Sequence, residues 1–185
     1  FRNINKQIEL KSEHIALVSD QFKAQDFKRG SYVQSASRAC KEIHFVEEGI
    51  LRAYFTTEDG KESTVMFAVE DWWITDMYAF TNDQPAMLTI EVVKECRILS
   101  LRKERLEFLF ERIPKFERFF RILMQNAYIR EQLRVIENLS SPAEQRYCNF
   151  IQKYPKIAEH VTQKQIASYL GITPEFLSTI RAVKN

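Results

Sequence analysis

Glycine, proline and cysteine are scarce in this 185-residue chain, at four, five and three residues. So few glycines and prolines, with no stretch of low complexity, exclude a disordered or linker-dominated chain. Long apolar runs are missing too. Apolar residues make up 45% of the sequence, enough for a core, but no run approaches the roughly 20 residues of a membrane span. No secretion signal is visible. Cys40, Cys96 and Cys148 are scattered and odd in number, the pattern of idle thiols in a reducing cytoplasm. No Cys-x-x-Cys or His/Cys cluster is present to hold zinc or an iron–sulfur centre. A metal-dependent cupin enzyme also uses a small β-barrel, but it needs several inward His or Glu ligands, and three scattered histidines do not supply them. The expectation is a cytoplasmic protein with no catalytic residues, no metal and no resident cofactor.

Net charge is small as well, +2 overall, but it is unevenly spread. Residues 142–185 carry Arg146, Lys153, Lys156, Lys164, Arg181 and Lys184 against Glu144, Glu159 and Glu175, while the remainder carries 21 basic against 22 acidic groups. Positive charge gathers in the C-terminal segment, where phosphate binding would use it. Two copies of so modest a segment would engage DNA better than one.

That segment reads as a helix-turn-helix. Ile166, Ala167 and Leu170 lie on a first helix, and the small Ala167 lets a second helix cross closely. Gly171 supplies the positive φ of a tight turn. Ile172 faces inward, Thr173 caps the next helix, and Pro174 sits at its first position, where a missing N–H costs nothing. Leu177 and Ile180 hold this second helix against the first. A helical hairpin packed for stability alone is the plainer alternative. Turning by about 100° per residue, the second helix points Glu175, Ser178, Thr179 and Ala182 outward, with Pro174 and Arg181 on the edge. In a major groove, Glu175 would accept from a cytosine amino group, or else merely stabilise the helix N-terminus. Ser178 and Thr179 are either base readers or ordinary solvated surface. Arg181 suits a guanine or a phosphate, and Gln163, Lys164 and Thr173 suit phosphates at the groove edge.

Upstream, residues 1–22 suggest a leading helix capped by Ser12, with Ile15, Val18 and Phe22 as its apolar stripe. From about Phe27 to Leu101 the period changes to two. A strand and turn are expected over Phe27–Val33, and strands over Lys41–Gly49, Leu51–Phe55, Glu62–Ala68, Leu88–Val93 and Cys96–Leu101, with a hairpin at Asp59-Gly60. Such spacing suggests a small antiparallel barrel or jelly-roll. From Arg102 the chain is helical. A long helix runs from Pro114 to about Leu139. One stripe on it is Phe119, Ile122, Asn126, Ile129, Leu133 and Ile136; the other is Phe116, Phe120, Leu123 and Ala127, turning polar at Arg130 and Arg134. The economical expectation is that the first half packs on the barrel while the first stripe meets an identical helix, with Asn126 fixing register. Packing of both stripes inside one subunit is the alternative. Ser140-Ser141-Pro142 ends the helix. A further helix, Ala143 to Tyr154, supplies Tyr147, Phe150 and Ile151 beneath the terminal motif.

This order of parts resembles the Crp/Fnr family, dimeric bacterial transcription regulators with a cyclic-nucleotide-binding-type sensor domain. Phe45-Val-Glu-Glu-Gly-Ile-Leu-Arg-Ala-Tyr54 with Asp59-Gly60-Lys61 is similar to the sensor's central hairpin. Ile113-Pro-Lys-Phe-Glu-Arg118 and Ser141-Pro-Ala-Glu-Gln-Arg-Tyr147 look like the opening and exit of the dimerisation helix, and residues 163–178 are the most specific match. The resemblance implies an α+β chain in three parts: a barrel or jelly-roll sensor over 1–113, a dimerisation helix over 114–140, and a helix-turn-helix domain over 141–185. Further sequence before Phe1, and a wing or helix after Asn185, are expected. Partners would be double-stranded DNA, a second copy and RNA polymerase, with no membrane. The competing reading is a small-molecule sensor whose DNA binding is secondary or lost.

The sensor departs from the nucleotide-binding members, whose phosphate cassette has Gly-Glu and later an Arg-Ser/Thr-Ala run. Here Glu70-Asp-Trp-Trp-Ile-Thr-Asp76 lacks the Gly, and Gln84-Pro-Ala-Met-Leu88 lacks the Arg. A phosphate would meet Asp71 and Asp76 uncompensated, so cAMP is not expected. The matching positions, Asp71, Trp72, Trp73, Thr75, Asp76, Tyr78, Pro85, Ala86 and Met87, form either an effector pocket for a small apolar or amphipathic molecule or a simple aromatic filling of the barrel mouth. Exposed paired indoles would favour the pocket. His44, the one barrel histidine, reads as a structural residue rather than a haem ligand. In the family, arginines commonly stand where Pro174 and Thr179 stand here, which leaves the half-site sequence open.

Overall fold

The structure, a computed structural model, describes residues 2–182; Lys184 of the basic segment lies outside them. The leading helix is two short ones, α1 (Arg2–Asn5) and α2 (Ser12–Ser19), because the chain turns extended sooner than its apolar spacing suggests. Lys11, not Ser12, holds the N-cap of α2, and no side chain caps it. Phe22 begins β1 (Phe22–Phe27) rather than ending a helix, and Gly30, at φ 81°, turns the chain into β2 (Tyr32–Gln34).

With β3 (Glu42–Thr56), β4 (Glu62–Val69), β5 (Trp73–Ile74) and β6 (Thr89–Arg102), the sheet is antiparallel and ordered β1-β6-β3-β4, with β2 added to β6 and β5 to β3. Two strands expected on either side of Gly49 are one, β3, and the two around Lys94-Glu95 are also one, β6. Register shifts between Val46 and Leu51 explain both. The polar interruptions are bulges in continuous strands, which bend the ladder without ending it. Gly49 sits there at φ 100°, where a Cβ would collide with the Glu95 carbonyl oxygen and Cys96 Cβ. The Asp59-Gly60 turn joins β3 to β4, closed by the Thr57 N–H on the Lys61 carbonyl at 2.9 Å.

Three cores follow. The barrel interior is Val46, Leu51, Ala53, Ala68, Ile90, Val92 and Ile98. On the sheet's other face, Ile43, Leu101 and Trp73 meet Val18 of α2, Leu106 and Leu109 of α4 (Lys103–Arg112), and Phe116 and Phe119 of α5 (Pro114–Ser140). A third core joins the outer sheet residues Ile50, Phe67 and Val93 to the C-terminal helices through Phe150, Ile157, Ile166, Ala167, Leu170 and Leu177. Those helices are α6 (Ala143–Lys153), α7 (Pro155–Ala158), α8 (Gln163–Leu170) and α9 (Pro174–Ala182). Between β5 and β6 lies one short helix, α3 (Met77–Asn82). No helix among the described residues is long and apolar enough to cross a membrane.

Candidate nucleic-acid interface and sensor groove

The helix-turn-helix forms as its spacing demands. Thr162 accepts from the Gln165 N–H while the Gln165 side chain accepts from the Thr162 N–H, a capping box that starts α8. Its Thr-x-x-Gln signature is a sequence signal for this helix start that apolar periodicity does not capture. Gly171 takes the left-handed conformation at the C-cap, φ 68°, and the Ile172 N–H reaches back to the Ala167 carbonyl at 3.0 Å. Thr173 accepts the Phe176 N–H at 3.2 Å, starting α9. Ala167, Leu177 and Ile180 are buried. With its apolar side sealed, α9 presents Pro174, Glu175, Phe176, Ser178, Thr179 and Ala182 to solvent, and Gln163 and Lys164 are exposed on the first turn of α8. Ser178 and Thr179 donate to the Pro174 and Glu175 carbonyls, so both hydroxyls keep acceptor capacity. Arg181 is half-buried and lines a cavity with Tyr147, Ile151 and Gln163. Thr173 is a cap first, so its hydroxyl is partly committed.

On α5, Phe119 departs from its expected stripe: it is only 1% exposed and packs in the chain's own core against Trp73 and Phe116. The stripe beyond it is open. Ile122 is half-buried and Asn126 exposed, while Ile129, Leu133 and Ile136 are 51–55% exposed, flanked by Tyr128, Val135 and Leu139, which lie off the stripe. Arg130 and Arg134 mark the opposite side. Arg130 stacks over Trp72 at 4.5 Å and Arg134 over Tyr169 at 5.3 Å, so the helix faces barrel and helix-turn-helix through cation–π contacts that no apolar pattern reveals.

The nine expected effector residues divide. Asp71, Trp72, Trp73 and Thr75 line a groove of about 490 Å³ between sheet and α5, completed by Val65, Met66, Leu123, Met124 and Ala127. The indoles are not an exposed pair: Trp73 is buried among Phe22, Phe45 and Phe119, with its N–H on Asn3 Oδ1, and Trp72 packs edge-on against Tyr154. Tyr78, Pro85 and Met87 are exposed away from the groove, and Ala86 is buried. The acids are compensated, contrary to expectation. Asp71 pairs with Lys6 at 2.8 Å. Asp76 caps α3 through the Ala79 N–H at 3.1 Å, and its other oxygen accepts from the Met87 and Leu88 N–H groups at 2.7 and 3.0 Å. An internal carboxylate thus occupies a nest of backbone donors suited to an anion.

His44 is buried, with Nδ1 at 2.8 Å from Ser100 Oγ, as a structural histidine would be. Burial pushes its imidazole down to about 4. The unfolded chain, at the ordinary value near 6.5, therefore binds more protons between these limits, and stability falls as pH drops through that window. Urea unfolding at pH 7 and pH 4.5 is expected to show about 2–3 kcal/mol of lost stability that His44→Gln abolishes; an unchanged pH slope in the variant would refute this. Burial also pushes the Cys96 thiol up to about 11 and the Cys40 thiol upward, so neither is a reactive thiolate.

Residues 24–113 match the cyclic nucleotide-binding domain family. No curated protein matches the chain significantly. Among solved structures, the chain is similar to CLP of Xanthomonas campestris, described as a c-di-GMP responsive global regulator (12% identity, 94% of this chain and 92% of that one, TM-score 0.77). It is similar to FixK2 of Bradyrhizobium japonicum (14%, 87% and 83%, TM-score 0.76) and to a crp/fnr-family putative transcriptional regulator of Eubacterium rectale (18%, 99% and 86%, TM-score 0.75). At these identities the likeness is one of fold. The chain thus carries a cyclic nucleotide-binding domain over residues 24–113, set in the architecture of the Crp/Fnr regulators.

Proposed function

We propose that this chain is a non-enzymatic, sequence-specific DNA-binding transcription regulator that acts in the cytoplasm as a homodimer and engages RNA polymerase. The observation that carries the reading is α9: its apolar side is sealed by Leu177 and Ile180 while Glu175, Ser178 and Thr179 stand in solvent. Two copies, paired along Ile129, Leu133 and Ile136 of α5, would set two such helices about 34 Å apart, one DNA turn. In this reading Glu175, Ser178 and Thr179 read base edges, while Gln163, Lys164, Thr173 and Arg181 hold phosphates.

The indoles do not supply the exposed pair that would favour a pocket, so the reading of the groove between sheet and α5 as the effector site rests on its volume and apolar lining, which suit an apolar or amphipathic molecule. Cyclic nucleotides are disfavoured because Asp76 already takes the loop's backbone donors and no arginine stands in residues 84–88 to neutralise a phosphate. An effector wedged between Trp72 and Leu123 would shift α5 and, through Arg130 and Arg134, the helix-turn-helix. It would act by favouring one of two dimer states.

Two substitutions test the interface. Thr179→Ala is expected to change sequence preference, costing about 1–3 kcal/mol of discrimination at one base pair. Lys164→Ala should weaken all sequences alike and lower the salt slope by about 1. Binding isotherms over a salt series measure both, and two variants indistinguishable from the parent would refute the assignment.

A further inference from the structure

Another cavity, of about 420 Å³, opens where β2, β3 and β6 converge, beside the groove. It is polar, and its charge is one-sided. Arg38, Lys41 and Arg102 line it against a single carboxylate, Glu42. Arg38 and Lys41 have no side-chain partner among the described residues, and Arg102 has only a loose contact with Glu104 at 3.5 Å. His44 is the second observation. The residue is 3% exposed yet lines this cavity, and while Nδ1 is held by Ser100, Nε2 has no partner among the described residues. When the Ser100 hydroxyl donates to Nδ1, the neutral ring presents its Nε2–H as a donor at the cavity floor.

We infer that this cavity is a binding site for a compact dianion, such as a phosphate monoester or a dicarboxylate. The lining holds three cations against one acid, and Glu104, outside the lining, offsets Arg102 only in part at 3.5 Å, so a net positive charge between one and two is left to balance; a phosphate monoester carries about −1.5 to −2 at neutral pH. The volume lies within the roughly 300–1,000 Å³ of small-molecule sites. Arginine forks and a lysine supply charge-assisted donors at the rim, and His44 supplies one neutral donor inside.

The site is wired to the groove. The loop that bears Arg38 exchanges hydrogen bonds with the Ala86 loop: Ser37 N–H to Ala86 carbonyl at 2.7 Å, and Ala86 N–H to Arg38 carbonyl at 2.8 Å. The next residues, Met87 and Leu88, are those held by Asp76. Cys40, between Arg38 and Lys41, touches Thr75 Oγ1 at 3.4 Å. An anion drawing in Arg38 and Lys41 would pull on the segment that lines the groove, giving the sensor a second input.

The test titrates the full chain with inorganic phosphate and, in parallel, with succinate at constant ionic strength. Heat is followed by calorimetry and the three histidine rings by NMR. The expected result is saturable binding that moves the His44 ring signals and leaves those of His14 and His160 in place. Arg38→Gln with Lys41→Gln, both on the exposed rim, should weaken it about tenfold or more with an unchanged circular-dichroism spectrum. Binding of phosphate alone assigns a phosphorylated ligand, of succinate alone a dicarboxylate, and of both the dianion class. Absence of saturable binding, binding that leaves the His44 signals unmoved, or equal affinity in the double variant overturns the inference.

Discussion

Leu133→Asp combined with Ile136→Asp is expected to leave the fold intact, to yield a monomer in sedimentation, and to weaken operator binding about 100-fold or more. Both side chains are more than half exposed in the single chain, so the charges disturb no intrachain core. In a helix pair the same positions would be sealed. Each lost apolar side chain then forfeits about 1.5–3 kcal/mol of burial, and each carboxylate must be desolvated. The affinity loss follows from valency, because a second recognition helix on the same molecule binds at high effective concentration and a lone one does not. A double variant that remains dimeric would place the dimer contact elsewhere, and a monomer with parental affinity would remove the dimer from the mechanism.

Arg52→Ala is expected to cost about 3–5 kcal/mol and to loosen the helix-turn-helix from the barrel. Arg52 is 2% exposed and sits at 4.3 Å over the Tyr54 ring. Its Nη1 donates to Glu62 at 2.8 Å and Glu91 at 3.0 Å, and its Nε donates to Thr64 at 2.8 Å. Each acceptor continues into α8. Ser168 Oγ accepts the Thr64 N–H and donates to the Glu62 carbonyl, and Gln165 Nε2 donates to Glu91 at 2.9 Å. Removing the arginine leaves two carboxylates facing each other beneath this contact. Ser168→Ala removes only the Ser168 links, leaves Gln165 on Glu91, and should cost about 1 kcal/mol. The double variant should lose less than the sum, because the two residues share Thr64 and Glu62. Urea unfolding measures all three; strict additivity would mean that Arg52 supports the barrel alone. Burial, with Glu62 and Glu91 nearby, pushes the Tyr54 hydroxyl up to about 12, so the ring stays neutral under the guanidinium at physiological pH.

Local punctuation was legible in the sequence. Gly171, Thr173 and Pro174 act within one turn of themselves, and the structure places each as its chemistry requires. The long helix was legible from Pro114 and Ser141-Pro142. Features that depend on distant partners were not. Gly49 and Lys94-Glu95 look like turns along the chain and become bulges only because β3 and β6 pair past them. Phe119 shares a stripe with Ile129 by spacing, but the barrel covers only the first turns of α5 and takes Phe119 with it. Asp71 and Asp76 seemed uncompensated because their partners, Lys6 and the N–H groups of residues 79, 87 and 88, are remote or in the backbone. Arg52 carried no periodic signal, and neither did its role beneath α8.

Selection of bound sequences from random duplex DNA distinguishes a dimeric reader from a sensor that has lost DNA binding. The expected product is an enriched near-palindrome with half-site centres about 34 Å apart, bound by two chains, with affinity falling steeply as salt rises. A pool that emerges unenriched, or a single half-site bound by one chain, would contradict the dimeric reader.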